Sequence, residues 1–393
     1  MLPLSGIKVL DLSRVLAGPY CGMILADLGA FVVKIERPGK GDDAREYGPF
    51  INGESAYFIS INRNKKSITL NLKSSEGQEI FKELVKKFDV VLENFRPGTM
   101  DKLGLGYEVL KEINPRIIYA ASSGFGHTGP YRERPAYDAI IQAMGGLMSI
   151  TGFPQDKPTR VGASIADIAS GMFCAMGIMA ALIKREKTGM GDMVDVSMLD
   201  SVVAILENAI SRYEITGEIP GRLGNRHPSI VPFESFEAKD GDVMIAVGND
   251  ELWKKLCIAI DKEELVEDPR FKTNPLRVQN YDDIKRILDE IIKTKTVDEW
   301  IKIMDAAGIP CSPINTIDKV VNHPQIAARQ MIATIYHPKI GKIRIPASPI
   351  KFKNENIVIG PAPLLGEHTD EILKEFLNIS DEDLEQLRKS GVI

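Results

Sequence analysis

Residues 7–37 read IKVLDLSRVLAGPYCGMILADLGAFVVKIER, and this stretch decides the fold. Ile7–Ser13 is an apolar run of strand length. From about Pro19 to Leu28 the chain has Pro at an early helical position and Gly29 as a stop, the signature of a short helix. Phe31–Arg37 is a second apolar run. A strand, a helix and a strand therefore close within the first 37 residues, the unit from which parallel sheets are built.

The same alternation continues outward. Ser67–Leu72 reads as a strand, Ser75 to about Phe88 as a helix and Val90–Phe95 as a strand. A helix over Tyr107–Ile113 leads to a strand over Arg116–Ser122. Tyr137–Ser149 reads as helical, an apolar helix runs from Asp167 to about Lys187, Met193–Met198 is a strand and Asp200–Thr216 a helix. This order predicts an α/β fold, a Rossmann-like large domain whose mostly parallel sheet is covered on both faces. At Gly217 the texture changes, with three Pro and three Gly within GEIPGRLGNRHPSIVP. The expected division is 1–216 for the N-terminal part of the large domain, 217–232 for a linker, 233–322 for a smaller α+β domain, and 323–393 for a return linker and the C-terminal part of the large domain. The smaller domain has a hairpin signal at Asp240-Gly241 and helices near Glu251–Ile260, Tyr281–Lys293 and Val297–Ala306. Beyond it, Tyr336–Phe352 reads as a hairpin around Gly341. Two short surface helices are expected to begin at Thr369 and at Ser380 or Asp381.

Composition narrows the class. The chain has 393 residues, 44% hydrophobic and 26% charged, which is ordinary for a soluble protein. At roughly 150 residues per domain, two or three domains are expected. The net charge of −5 argues against a nucleic-acid partner. Cys21, Cys174, Cys257 and Cys311 are scattered, with no zinc-type spacing, so neither disulfides nor a metal is expected and a reducing, cytoplasmic location is. The N-terminus carries no signal-peptide pattern. Ile168–Ile183 holds 16 residues without a charge, short of the roughly 20 that span a bilayer. That segment reads as a buried helix, and no membrane partner is expected.

Several chemistries lack their motifs. The turn after the first strand reads SRVLAGP, without the glycine fingerprint of dinucleotide binding. There is no P-loop, no Gly-x-Ser-x-Gly elbow and no His-Glu-x-x-His. The ends of the strands are more informative. Arg14, Arg37 and Arg45 follow the first two strands, and Asn94, Phe95 and Arg96 follow the fourth. Each cation alone reads as a solvated loop charge; together they offer a site for phosphate or carboxylate. Asp167 opens the apolar helix. It can serve as the helix N-cap, or as a carboxylate kept ionised by the helix terminus and able to act as a nucleophile. Small residues in ADIASG would let a substrate approach closely.

Taken together, these segments resemble the family III CoA-transferases, a group that includes formyl-CoA, carnitine and bile-acid CoA-transferases. The resemblance spans essentially the whole chain. It rests on residues 6–45, then NRNKKSITLNLK, VLENFRPGTMDKLGLGY, SGFGHTGPYRERPAYD, ADIASGMFCAMGIMAAL and APLLGEHTDEIL in this order. GNRHPSIVPFESF and FKTNPLRVQN resemble in particular the branch that handles dicarboxylates, such as succinate–hydroxymethylglutarate CoA-transferase. The resemblance implies an interlocked homodimer that moves CoA from an acyl-CoA donor, succinyl-CoA or similar, to a carboxylic acid. Coenzyme A is then a substrate, and no tightly bound cofactor or metal is implied. Asp167 matches the catalytic carboxylate, passing through an anhydride and an aspartyl-CoA thioester. Arg37, Leu72 and Lys73 match the contacts to the adenine and phosphate region of CoA, Asn94 and Phe95 contacts near the cofactor, Lys102 an Arg that meets phosphate, and Tyr137 an aromatic at the entrance. Leu16 departs from the pattern, because other members carry Gln there.

Two other readings stay open at this point. α-Methylacyl-CoA racemases share the fold and use a His immediately before the Asp that matches Asp138, where this chain has Tyr137; His127 is a poor substitute. A non-catalytic acyl-CoA-binding protein could use the same scaffold. For a dicarboxylic substrate the remote carboxylate requires a cation, and Arg14, Arg45 and Arg226 are the expected candidates.

Overall fold

Six strands form one parallel sheet: β1 (Lys8–Asp11), β2 (Phe31–Glu36), β3 (Lys66–Thr69), β4 (Val90–Glu93), β5 (Ile118–Ser123) and β6 (Met193–Ser197). Their order across the sheet is β3-β2-β1-β4-β5-β6. The order reverses between β1 and β4, and in such sheets the crevice at that switch, outside the carboxyl ends of the strands, receives the ligand. A computed structural model describes residues 1–393. The chain divides into two units. One comprises Met1–Leu147, Arg160–Ile215 and Pro324–Ile393, and the other Met148–Thr159 and Thr216–His323.

Side chains alternate across the sheet, so each strand feeds two cores. Leu10, Val33 and Val91 point to one side, where they meet Phe81, Leu84 and Val85 of the helix Ser75–Val85. Ile372, Leu373 and Leu384 of the two C-terminal helices, Thr369–Leu377 and Asp381–Lys389, join the same core. Those helices are therefore more than surface elements: each buries an apolar stripe under the sheet. The C-terminal segment is tied to β3 by polar contacts as well, with Thr69 N–H donating to Thr369 Oγ1 at 3.0 Å. On the opposite side Val9, Val32 and Val90 pack on α1 (Ala17–Asp27) and α2 (Ile165–Thr188) through Cys21, Leu25, Cys174 and Ile178.

The apolar helix α2 is long and apolar enough to cross a membrane by composition alone. Here one of its faces is buried against α1 and the sheet, while Met172, Met176 and Ile183 are exposed. Its packing is close because Gly171 meets the backbone of α1. A Cβ on Gly171 would lie 2.6 Å from the Ala17 carbonyl oxygen. Gly171 thus admits the neighbouring helix at close range.

Two long helices expected from the sequence are broken. The segment 137–149 becomes Asp138–Met144 and Leu147–Ile150, interrupted where Gly146 takes a left-handed φ of 84°. The segment 200–216 becomes Met198–Ala204, capped by Ser197, and Ala209–Thr216, with Glu207 at φ 56° between them. The hairpin around Gly341 has arms Ile332–His337 and Gly341–Pro346, so its strands lie earlier than the pattern placed them.

In the second unit the hairpin Phe233–Ala238/Gly241–Ala246 gains a third strand, Cys311–Pro313. The helices Asp250–Ala259, Tyr281–Ile292 and Val297–Ala307 bury Trp253, Ile284, Leu288 and Trp300 against it. The last helix begins with a reciprocal capping box between Thr296 and Glu299.

Candidate active site

The turn after β1 is held in a strained shape. Val15 adopts φ 66°, a left-handed conformation that costs a β-branched residue energy. Three contacts impose it. Asn94, just beyond β4, accepts from the Arg14 N–H at 2.7 Å and donates to the Arg14 carbonyl at 2.7 Å. Asp42 accepts from the Val15 N–H at 3.0 Å. Asp42 is itself fixed by the buried ammonium of Lys34, 2.8 Å away. Burial alone would raise the Asp42 carboxyl, but Lys34 and the Ala44 and Val15 N–H groups outweigh it and hold it below the usual range. The amide of Asn94 is therefore spent on shaping the chain.

Two cavities flank this turn. The smaller, about 210 Å³, is lined by Leu16, Asn94, Phe95, Tyr137 and Asp167 among others. The larger, about 630 Å³, is lined by Arg37, Leu72, Lys73, Phe95 and Lys102, with apolar walls from Leu12, Ile35 and Leu103. The nine residues compared with the family's site thus each line one of these two cavities. Arg14 and Phe95 belong to both, and the Arg14 guanidinium lies 5.3 Å from the centroid of the Phe95 ring. Arg37 also donates to the Asp43 carboxylate at 2.6 Å and to the Gly41 carbonyl. A large cavity with apolar walls and cations at its rim suits a nucleotide-sized group bearing phosphates.

Asp167 is the third residue of α2, within the first turn of a helix that starts at Ile165, and it does not cap that helix. The cap comes from Asp138, whose Oδ1 accepts from the Ala166 N–H at 2.9 Å. Burial first, and the charge of Asp138 second, push the Asp167 carboxyl up to about 7. The helix terminus favours the anion, as the sequence suggested, but desolvation and a like charge outweigh it. The result is a basic carboxylate on a cavity wall.

Three further residues of this site, Asp138, Tyr47 and Tyr57, carry no motif that assigns them from the sequence. Asp138 was visible only as a neighbour of Tyr137, although an acid opening a helix near Asp167 was the available signal. Tyr47 lines the small cavity and packs edge-on against Tyr57, with centroids 5.6 Å apart. The Tyr57 hydroxyl is pushed up to about 12, by burial and then by the charge of Asp167. His127 stands apart from this wall; its Nε2 is 3.8 Å from Glu93 Oε1. Glu93 is buried and raised to about 7 by desolvation, while accepting from the Phe95 N–H and the Tyr119 hydroxyl.

Of the cations expected to meet a remote carboxylate, Arg45 is committed elsewhere. Its guanidinium makes two 2.7 Å bonds to Glu36 and stacks on Phe58. Arg226 lies in the second unit, stacked 3.5 Å over Tyr281. Arg14 lines the small cavity but gives Nη1 to Asp43 at 2.9 Å.

Residues 4–369 match the model of CoA-transferase family III. The chain is 46% identical over 377 residues to the acetyl-CoA:oxalate CoA-transferase of Acetobacter aceti, covering 95% of this chain and 96% of that one. It is 42% identical over 393 residues to the succinyl-CoA:glutarate CoA-transferase of Homo sapiens, covering 100% and 90%. A CAIB/BAIF family protein from Brucella suis has a crystal structure that superposes with a TM-score of 0.85 at 41% identity, covering 95% of this chain and 99% of that one.

Proposed function

From the premise that this chain belongs to CoA-transferase family III, we propose that it moves CoA from succinyl-CoA or a similar donor to a dicarboxylic acid, with Asp167 as the covalent carrier. The relatives named above act on oxalate and glutarate, both dicarboxylates. The observation that carries the mechanism is the position of the Asp167 carboxyl, on the wall of a small cavity that shares Arg14 and Phe95 with the nucleotide-sized one.

The steps balance as an exchange. The Asp167 carboxylate attacks the thioester carbonyl, a mixed anhydride forms and CoA thiolate leaves. The thiolate attacks the aspartyl carbonyl of the anhydride, forming an aspartyl-CoA thioester and releasing the donor acid. The acceptor carboxylate then attacks that thioester, and the two steps reverse to give the new acyl-CoA and free Asp167. Covalent relay replaces one hard displacement by easier ones. A raised pKa makes Asp167 a stronger nucleophile once ionised, and its burial keeps competing water away from activated acyl groups. In the large cavity, Arg37, Lys73 and Lys102 are assigned to the phosphates of CoA.

The same reading includes an interlocked homodimer, supported by the apolar side chains Met172, Met176, Ile183 and Ile215 that one chain leaves exposed. Light scattering should then return twice the chain mass of 43.4 kDa. It also includes a reducing, cytoplasmic location, in keeping with four unpaired thiols.

The direct test incubates the enzyme with succinyl-CoA and labelled glutarate and follows glutaryl-CoA by mass spectrometry. Wild type is expected to exchange CoA, whereas Asp167→Ala should bind CoA and exchange nothing. Exchange by Asp167→Ala would overturn the role of Asp167.

A further inference from the structure

Four arginines line the Asp167 cavity, and they differ in what their guanidinium groups already hold. Arg14 is paired with Asp43, and Arg132 faces the Glu133 carboxylate at 3.4 Å. Arg96 and Arg134 have no carboxylate within ion-pair distance. Arg134 alone of these two rests on an aromatic platform. Its guanidinium lies 4.5 Å from the Tyr131 ring centroid and 5.9 Å from that of Phe125, and the two rings meet edge-on at 5.8 Å.

The platform is joined to the catalytic helix. Phe125 packs on the buried cluster of Ile141, Ala166, Met198 and Val202, and Ala166 is the residue before Asp167. Stacking on ring faces leaves the in-plane N–H groups of Arg134 free to meet a carboxylate in a two-pronged bond. The charge balance requires such a group. The acceptor attacks a neutral Asp167 thioester with one carboxylate, while its remote carboxylate stays ionised in a cavity that has Asp138 beside Asp167, and an unpaired cation offsets that charge.

We propose that Arg134 binds the remote carboxylate of the dicarboxylic substrate while the other carboxylate reacts at Asp167. This assignment rests on the dicarboxylate reading above and makes Arg134 a specificity-determining residue. Arg132, two residues earlier on the same loop, supports the field without the platform.

The test compares glutarate with valerate, which replaces one carboxylate by a methyl group, using succinyl-CoA as the fixed donor. Any effect on the donor half-reaction is shared by both acceptors and cancels in the ratio of their kcat/KM values. In Arg134→Met this ratio should fall by about tenfold or more, as expected for loss of a charge-assisted pair. Arg134→Lys should recover part of the preference, and CoA affinity and Tm should match wild type in both variants. An unchanged ratio, or equal losses for both acceptors, would overturn the assignment. A wild-type enzyme with no preference for glutarate would instead overturn the dicarboxylate reading itself, and needs no variant to show it.

Discussion

The carboxylate of Asp138 caps the helix that carries the carboxylate of Asp167. Its Oδ1 accepts from the Ala166 N–H at 2.9 Å, and its Oδ2 accepts from Gln142 Nε2 at 2.8 Å. One acid is thereby spent on structure while its charge falls on the other, which burial has already raised. In the proposed mechanism the pair divides the labour between a helix cap and a basic nucleophile.

This arrangement sets the pH dependence of transfer. In the proposed mechanism Asp167 loses its proton to attack, and its carboxyl is raised to about 7, so kcat/KM should rise as pH increases through 7 and level off above it. Asp138→Asn keeps an oxygen for the cap but removes the like charge. The midpoint of the acid limb should then move to lower pH, whatever happens to the plateau. Profiles from pH 5 to 9 for both proteins decide it; an unmoved midpoint would reject the coupling.

Stability should carry the opposite sign. A carboxyl whose folded pKa is raised binds protons more tightly in the folded state between its unfolded value near 4 and about 7. Folding stability therefore falls as pH rises through that window, and the penalty is full above it. Asp167→Asn removes the penalty, so its Tm should exceed wild type at pH 8, by about 1–2 °C for each kcal/mol recovered. At pH 4 the two should nearly coincide. A variant less stable than wild type at pH 8 would contradict the desolvated environment assigned to this side chain.

The sequence made the sheet legible because its strands are continuous apolar runs bounded by Gly and Pro, and Tyr107–Ile113 was bounded to the residue. Strand ends pointed to Arg37, Asn94 and Phe95, since parallel topology puts all those ends on one edge, whereas Leu72, Lys73 and Lys102 came from the family resemblance; all six line one of the two cavities. What the sequence lacked was side-chain commitment. Nothing in the order of residues shows that Arg45 is bound to Glu36, or that Asp138 lies close enough to raise Asp167. Those facts depend on side-chain pairings, nine residues apart in one case and 29 in the other, that only the folded chain brings about. The broken helices failed for a local reason: Gly146 and Glu207 take left-handed φ values inside runs that otherwise read as helical.

Asp43 holds cations of both cavities at once. Its Oδ1 meets Arg37 at 2.6 Å and its Oδ2 meets Arg14 at 2.9 Å. These pairs are partly exposed, each worth roughly 0–1 kcal/mol. Asp43→Asn should free Arg37 for the phosphates of CoA, tightening CoA binding up to about fivefold at low salt. The gain should shrink at high ionic strength, because the added attraction is screened. Calorimetric titration of CoA at two salt concentrations checks both points, and weaker binding at low salt would show that Asp43 positions Arg37 instead of competing for it.

Two glycines of α2 separate stability from catalysis within a single helix. Gly171 lies four residues after Asp167, on the face of α2 that meets α1, and an added Cβ would sit 2.6 Å from the Ala17 carbonyl oxygen. Alanine would gain about 1 kcal/mol of helix propensity over glycine. The clash outweighs this gain, because its partner is backbone and cannot rotate aside, and overpacking of this kind costs roughly 1–3 kcal/mol. To relieve it, α2 must move away from α1, carrying Asp167 away from Leu16 and Ala17, which line the same cavity. Gly171→Ala should therefore lower Tm and reduce kcat by about tenfold or more, a loss typical of small misplacements of a reacting group. Gly177→Ala is the matched control. Its Cβ would meet Val194 Cγ1, also at 2.6 Å, but ten residues from Asp167 and against a side chain. It should lower Tm while sparing kcat. Equal kcat in the two variants would mean that the contact between the helices does not set the position of the nucleophile.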